Sequence, residues 1–239
     1  MTDETLFISD LHLDANRQDI SDQLAHFLQN RANKARFLYV LGDLFETWIG
    51  DDDPATELSK LFNCFEKLSH STQIYFLPGN RDFLFGDEGA RRMGARVIRD
   101  PSIITLGEER VALLHGDSMC TDDLEYQDFR VMVRGEAWQT AFLHKPLSER
   151  KNIATGLRNQ SKANMQHKSM DIMDVNRQTV IDTFDELGVK TMIHGHTHQP
   201  AVHHYGVDRT RYVLGDWNPQ PSFLSWRADR GFELTDYRV

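Results

Sequence analysis

Leu6-Phe7-Ile8-Ser9-Asp10-Leu11-His12 is a short apolar run that breaks into a polar loop carrying a carboxylate and an imidazole. The same event recurs four more times. Phe37 to Leu41 runs into Gly42-Asp43, Ile74 to Leu77 into Gly79-Asn80-Arg81-Asp82, Val111 to Leu114 into His115-Gly116-Asp117, and Thr191 to Ile193 into His194-Gly195-His196-Thr197-His198. Apolar runs this short, bounded by turn residues, suit strands buried on both faces. Between the early runs the period changes. Ile20, Leu24, Phe27 and Leu28 make one helical apolar stripe, and Leu58, Leu61, Phe62, Phe65 and Leu68 make another, with Asp53-Pro54 expected to cap the second helix. Alternating strands and helices predict an α/β sheet whose ligands sit at the carboxyl ends of the strands, with all five loops on that one sheet.

Beyond Pro200 the pattern becomes consecutive strands: Val202 to Tyr205, Arg211 to Leu214, Phe223 to Trp226 and Phe232 to Tyr237. They predict a second sheet that closes the fold as a β-sandwich. Residues 122–171 read mainly as helix, and Phe129, Val131, Met132, Val133, Trp138, Phe142 and Leu143 there have no evident strand partner. We expect a single domain over 1–239 with a helical insertion at 122–171. Within it Lys145, Arg150, Lys151, Arg158, Lys162 and Lys168 against Glu149 form a basic stretch in a chain whose formal net charge is -9. That overall charge argues against a nucleic-acid-binding surface, although cations held among carboxylates would still let an acidic chain take an anionic substrate. Cys64 and Cys120 have no paired spacing and read as free thiols. No secretory signal and no spanning apolar run is visible, so a soluble or surface-bound cytoplasmic protein is expected.

Each of the five loops offers oxygen or imidazole ligands, and Gly42, Gly79, Gly116 and Gly195 permit tight turns beside them. If strand geometry persists, Asp10 and His12 project to one side and share an ion. A lone Asp-x-His is a weak signal, since the Asp caps turns and the His packs. Asp51-Asp52-Asp53 reads equally as a metal site or a solvated loop. His194, His196 and His198 together are more specific, because three neighbouring imidazoles are natural ligands. A mixed Asp, Asn and His set suits Mn, Fe or Zn better than Ca or Mg.

In order along the chain, Asp-x-His, Gly-Asp, Gly-Asn-x-Asp, His-Gly-Asp and Gly-His-x-His resemble the calcineurin-like metallophosphoesterase family. Gly42-Asp43-Leu44-Phe45-Glu46, Trp48-Ile49-Gly50-Asp51-Asp52, Gly79-Asn80-Arg81-Asp82-Phe83, Cys120-Thr121-Asp122-Asp123 and Ile172-Met173-Asp174-Val175-Asn176 resemble, more narrowly, its UDP-2,3-diacylglucosamine diphosphatases. The resemblance implies a four-layer α/β/β/α sandwich with the insertion as a lid. It implies two divalent ions, for which Mn2+ is the expectation: one held by Asp10, His12 and His198, the other by Asn80, His115 and His196, with Asp43 bridging. Asp43, Asn80, Arg81 and His115 take the catalytic roles, and Asn80, Arg81, Asp123, Ser161, Lys168 and His196 contact substrate. The implied reaction is hydrolysis of UDP-2,3-diacylglucosamine to UMP and 2,3-diacylglucosamine 1-phosphate, by metal-activated water attacking the uridine-side phosphorus. Many members of the broad family carry a proton-donating His where this chain has Arg81, and a guanidinium is a poor acid. A diphosphate, whose phosphate leaving group needs no proton, fits that departure, and the narrower family carries Arg there too. The implied setting is peripheral, against the anionic cytoplasmic face of a Gram-negative inner membrane, with the lipid as partner and neither nucleic acid nor an obligate protein partner.

Overall fold

The structure is a computed structural model that describes residues 3–165 and 170–236. Its strands are β1 (Glu4–Ile8), β2 (Phe37–Val40), β3 (Gln73–Phe76), β4 (Ala95–Val97), β5 (Ser102–Leu106), β6 (Glu109–Leu113), β7 (Thr191–His194), β8 (Ala201–Tyr205), β9 (Arg209–Val213), β10 (Ser222–Arg227) and β11 (Gly231–Asp236). They form two sheets, in the orders β11-β10-β1-β2-β3-β4 and β5-β6-β7-β9-β8. The five ligand loops are therefore not on one sheet. Those after β1, β2 and β3 belong to the first, and those after β6 and β7 to the second. The late strands likewise do not form a sheet of their own: β8 and β9 complete the second sheet, while β10 and β11 pair antiparallel beside β1. Apolar strands of similar length carry no label of sheet membership, and the exchange is a matter of pairing partners.

Period-two alternation sorts the strand side chains into layers. Leu6 and Ile8, Leu38 and Val40, and Ile74 and Phe76 face α1 (Gln18–Asn30) and α2 (Ser59–Ser69), through Leu24, Phe27, Phe62 and Phe65. Phe7, Tyr39, Val111, Leu113 and Ile193 point the other way and form the core between the sheets. On the far side Ala112, Leu114 and Met192 pack under Val180 and Phe184 of α8 (Arg177–Leu187). The order helix, sheet, sheet, helix follows. Each fully buried Leu, Ile or Phe contributes about 1.5–3 kcal/mol relative to exposure, so Phe7→Asp would set an unpaired charge between the sheets and break the layer contact. The helix ends differ in their chemistry. Asn176 caps α8, accepting from Gln178 N and Thr179 N at 2.9 and 3.1 Å, and Gly188 ends it at φ +59°. Asp53 does not cap α2. Its Oδ1 accepts from Ala55 N at 3.0 Å, and a turn of 3-10 helix at Thr56–Leu58 precedes Ser59.

Between β6 and β7 the chain makes a helical excursion through α4 (Leu124–Arg134), α5 (Glu136–Leu143), α6 (Leu147–Met165) and α7 (Met170–Met173); a short α3 (Asp87–Arg92) precedes β4. Its two ends are tied together. Asn176 Nδ2 donates to both oxygens of Asp122 at 2.9 and 3.0 Å, and the Thr121 and Thr179 hydroxyls lie 2.8 Å apart. Val133 and Phe142 are buried, Trp138 stacks on Phe142 and packs near Phe83, and Val131, Met132 and Leu143 remain exposed. Two arginines of the basic stretch are engaged with the fold. Arg150, 2% exposed, donates to Ile49 O at 2.6 Å and pairs with Asp52, while Arg158 pairs with Glu46 and Lys145 with Glu149. Asp51, the remaining carboxylate of its run, accepts from Trp48 Nε1 and from Gly86 N and Gly89 N at 2.8–3.1 Å. Each carboxylate of that run is tied to the fold, and none belongs to the converging ligand groups among the described residues.

Candidate metal centre

Strand geometry stops at Ile8. Asp10 and His12 both adopt left-handed backbone, at φ +57° and +49°, so strand alternation does not bring them together. The loop instead lies along its neighbour, with Asp10 N donating to Gly42 O and His12 N to Asp43 O. Asp43, His196 and His198 are also left-handed, at φ +52°, +69° and +56°. Non-glycine residues there cost about 1–3 kcal/mol each and persist where the surroundings over-determine them, typically at functional sites. Glycine is needed beside them for room: a Cβ on Gly195 would strike Asp10 Oδ2, and one on Gly79 would strike Asp43 Oδ1.

The side chains converge in two groups. In the first, His12 Nε2 is 3.1 Å from His198 Nε2, which is 3.5 Å from Asp10 Oδ1. In the second, Asn80 Oδ1 lies 2.8 Å from His115 Nε2 and 3.0 Å from His196 Nδ1. Asp43 stands between them, with Oδ2 3.9 Å from His12 Nε2 and Oδ1 3.5 Å from His115 Nε2. Ligand atoms of Asp10, His12 and His198, and separately of Asp10, Asp43 and His115, lie within 4.8 Å of one another. The donor set fits a divalent cation. Asp10 Oδ1 is buried with no hydrogen-bond partner, although Oδ2 accepts from Ser9 Oγ at 2.5 Å and His196 N at 2.9 Å. An orphaned carboxylate oxygen facing imidazole nitrogens is a vacant donor. His115 Nδ1 is 3.0 Å from Leu41 O, which turns Nε2 toward the cluster.

Electrostatics agree with a site built for positive charge. Burial pushes the Asp10 carboxyl up, but the close His198 imidazole and the fields of His115 and His12 outweigh it and hold the group well below the usual carboxylate range. Burial pulls His115 down, yet Asp43, Asp117 and Asp10 raise it to about 9. His196 is lowered to about 4 by burial and by His115. Arg81 donates its backbone N–H to Asp43 Oδ1 at 2.8 Å, and its Nε, 4.0 Å from Asp43 Oδ2, is buried without a hydrogen-bond partner.

One expected feature resolves differently. His194 does not join His196 and His198: it is fully buried, bonded to Arg211 Nη1 at 2.8 Å, and burial and Arg211 together lower it to about 3. Asp123 is the cap of α4, accepting from Tyr126 N at 3.1 Å, and Ser161 lies on α6 one turn beyond Arg158. Lys168 falls outside the described residues. Other residues were given no site role by the sequence. Asp82 is fully buried and accepts from Gly79 N at 2.7 Å and Leu44 N at 2.8 Å, clamping two ligand loops; burial and Asp43 raise it to about 6. Asp117 accepts from Tyr126 Oη and Arg130 Nε at 2.8 Å each, and Tyr126 stacks on His196 with ring centroids 6.0 Å apart. Glu46 Oε2 lies 3.3 Å from His12 Nδ1, and Asp216 Oδ2 lies 3.9 Å from His198 Nδ1. Asp216 had a signal: Gly215-Asp216 follows an apolar run as Gly42-Asp43 does.

Comparison with known proteins agrees with this geometry. Residues 4–200 match the family model described as calcineurin-like phosphoesterase. The chain is 47% identical over 225 residues to a protein of Aromatoleum aromaticum named UDP-2,3-diacylglucosamine hydrolase, covering 92% of each chain. It is 45% identical over 234 residues to a Vibrio vulnificus protein of the same name, covering 96% of each. Among solved structures, vacuolar protein sorting 29 of Cryptosporidium parvum superposes with TM-score 0.51 at 11% identity, over 99% of this chain and 98% of that one, a likeness of fold alone. With a family model over most of its length and relatives this similar from end to end, the chain belongs to the calcineurin-like phosphoesterases, within the group named UDP-2,3-diacylglucosamine hydrolases, and its clustered ligands fit the divalent-metal use of that family.

Proposed function

We propose that the chain hydrolyses the diphosphate of UDP-2,3-diacylglucosamine, giving UMP and 2,3-diacylglucosamine 1-phosphate for lipid A synthesis. Water oxygen joins the uridine-side phosphorus, the bond from that phosphorus to the bridging oxygen breaks, and the bridging oxygen leaves with the lipid phosphate. The observation that carries the reading is the pair of ligand groups sharing Asp43, with the unbonded Arg81 Nε beside them. We assign one divalent ion to Asp10, His12 and His198 and a second to Asn80, His115 and His196, with Asp43 to both and Mn2+ as the metal. Two such ions, when bound, lower the pKa of a water and offset phosphate charge. Arg81 holds a diphosphate oxygen and keeps its proton, which suits a leaving group that needs none. Asn80 and His196 orient the phosphate, and Asp123, Ser161 and Lys168 contact the sugar end from the 122–171 excursion, which we read as a lid inserted into the single domain.

Two acyl chains keep this substrate in a membrane, so we place the protein peripherally on the cytoplasmic face of the inner membrane of a Gram-negative bacterium. Supporting this, Leu124, Val131 and Met132 of α4 expose apolar side chains. No helix among the described residues is long and apolar enough to cross a membrane. The test is mass spectrometry of products formed in oxygen-18 water, with Mn2+ and with chelator. Label in UMP only when metal is present supports the assignment. An intact lipid substrate beside a cleaved generic phosphodiester would leave the metal centre and remove the substrate.

A further inference from the structure

The buried contact between His194 and Arg211 has no part in the ligand groups, yet it reaches both. We propose that Arg211 and His194 are a positioning pair that fixes the 195–198 loop, so that His196 and His198 present to their two groups together; this rests on the metal reading above. Arg211 is 4% exposed and His194 fully buried. A guanidinium only donates, so the 2.8 Å bond from Arg211 Nη1 makes His194 Nε2 the acceptor and places the ring proton on Nδ1. That proton is given to Gly195 O at 2.8 Å. The same carbonyl accepts from Thr197 N at 2.8 Å, and Gly195 N donates to His115 O at 2.9 Å. Both faces of the Gly195 residue are thus held immediately before the left-handed His196 and His198, and one anchor leads directly to His115.

Arg211 is itself fixed. It sits on β9 opposite Met192 of β7, its Nε donates to Tyr205 Oη at 3.0 Å, and its guanidinium lies 5.8 Å from the Tyr205 ring centroid. Among the described residues no ion pair of Arg211 is found. Burying a guanidinium without a carboxylate is costly, and the bonds to Tyr205 Oη and His194 Nε2 offset part of that cost. Gly116 lies close against the ring, and a Cβ there would come within 2.7 Å of His194 Nδ1. The arrangement is an imidazole whose tautomer is dictated from one strand and whose proton is delivered to the loop of another.

The test uses the full chain with His194→Phe, His194→Asn and Arg211→Met, reading Mn2+ affinity without substrate, kcat and KM separately, and the imidazole 15N spectrum. We expect His194→Phe to weaken Mn2+ binding by about 10–100-fold, the usual effect of losing an outer-shell partner, and to lower kcat more than KM changes. His194→Asn, whose amide replaces the Nδ1 donor, should recover most of that loss. Arg211→Met should shift the ring proton toward Nε2 in the 15N spectrum and weaken the metal to an intermediate degree. Wild-type Mn2+ affinity in a folded His194→Phe chain overturns the proposal, as does Asn behaving no better than Phe. Should His194→Phe not fold, an unchanged tautomer and affinity in Arg211→Met overturns it alone. Because affinity is read without substrate, an error in the assigned reaction leaves this outcome legible.

Discussion

Asp43 is 2% exposed and stands within 4 Å of an imidazole from each ligand group, so its removal acts on both at once. Asp43→Ala should lower kcat by several orders of magnitude, on the order of 10³ or more, with metal content falling in parallel. Near-normal turnover in a fully metallated variant would refute the shared position. Arg81 offers a smaller and different effect. Arg81→Ala leaves the ligand groups intact and removes a phosphate contact, for which we expect a roughly 10²-fold loss in kcat/KM with Mn2+ affinity unchanged. If Mn2+ affinity falls as well, Arg81 serves the metal centre and not the phosphate. The loops whose side chains converge were conspicuous in sequence because carboxylates, amides and imidazoles stand just past apolar runs, while their division into two groups was what the resemblance implied. What was not legible is which of several equal candidates turns inward. His194 and His196 share residue type and spacing, and only Arg211, on another strand, separates them. Asp82 and Asn80 divide in the same way, one clamping backbone N–H groups and the other facing the imidazoles.

At the scale of elements, Asp117 joins the His115 loop to α4 by accepting from Tyr126, Arg130 and Arg134. Burial pushes its carboxyl up, but His115, Arg134 and Arg130 together hold it well below 3.8. A depressed folded pKa gives stability that is complete above the unfolded value and disappears as pH falls through the folded one. Asp117→Asn should therefore cost about 3–5 kcal/mol at pH 7, the penalty of breaking a buried pair, and the gap from wild type should narrow below pH 4. Urea unfolding of both chains across pH 3–7 measures this, and a gap that stays constant with pH would assign the cost to packing. The helices of this region were legible from composition, but their attachment was not. Arg150 and Arg158 read as a basic surface because their partners, Asp52 and Glu46, lie about a hundred residues earlier in the chain.

Across the whole molecule, two sheets meet through one apolar core, and the ligand loops lie at one end of it. Asp10, His12, Asp43 and Asn80 come from the first sheet, and His115, His196 and His198 from the second. The four layers were implied by the family resemblance alone, since an all-apolar run such as Leu6-Phe7-Ile8 does not show which face meets a helix and which meets the other sheet. The division between sheets was not readable either, because every run is apolar on both faces. That division makes each ligand group a cross-link between sheets: His198 meets Asp10 and His12, and Asn80 meets His115 and His196. A cation held there binds the folded arrangement and not the unfolded chain, so metal adds to stability by mass action. At a free Mn2+ concentration of 100 times the dissociation constant, one site contributes about 2.7 kcal/mol. For a chain of this length that is an upward shift in Tm of roughly 5–10 °C, and more if both groups fill. Scanning calorimetry in Mn2+ and in chelator reads the shift directly. In Asp43→Ala, which loses the residue between the two groups, most of the shift should vanish while the Tm in chelator stays near or above that of wild type, because a buried carboxylate has been removed from a cluster that already contains Asp10 and Asp82. An equal Tm with and without Mn2+ in the wild-type chain would mean that the two sheets meet there without a cation between them.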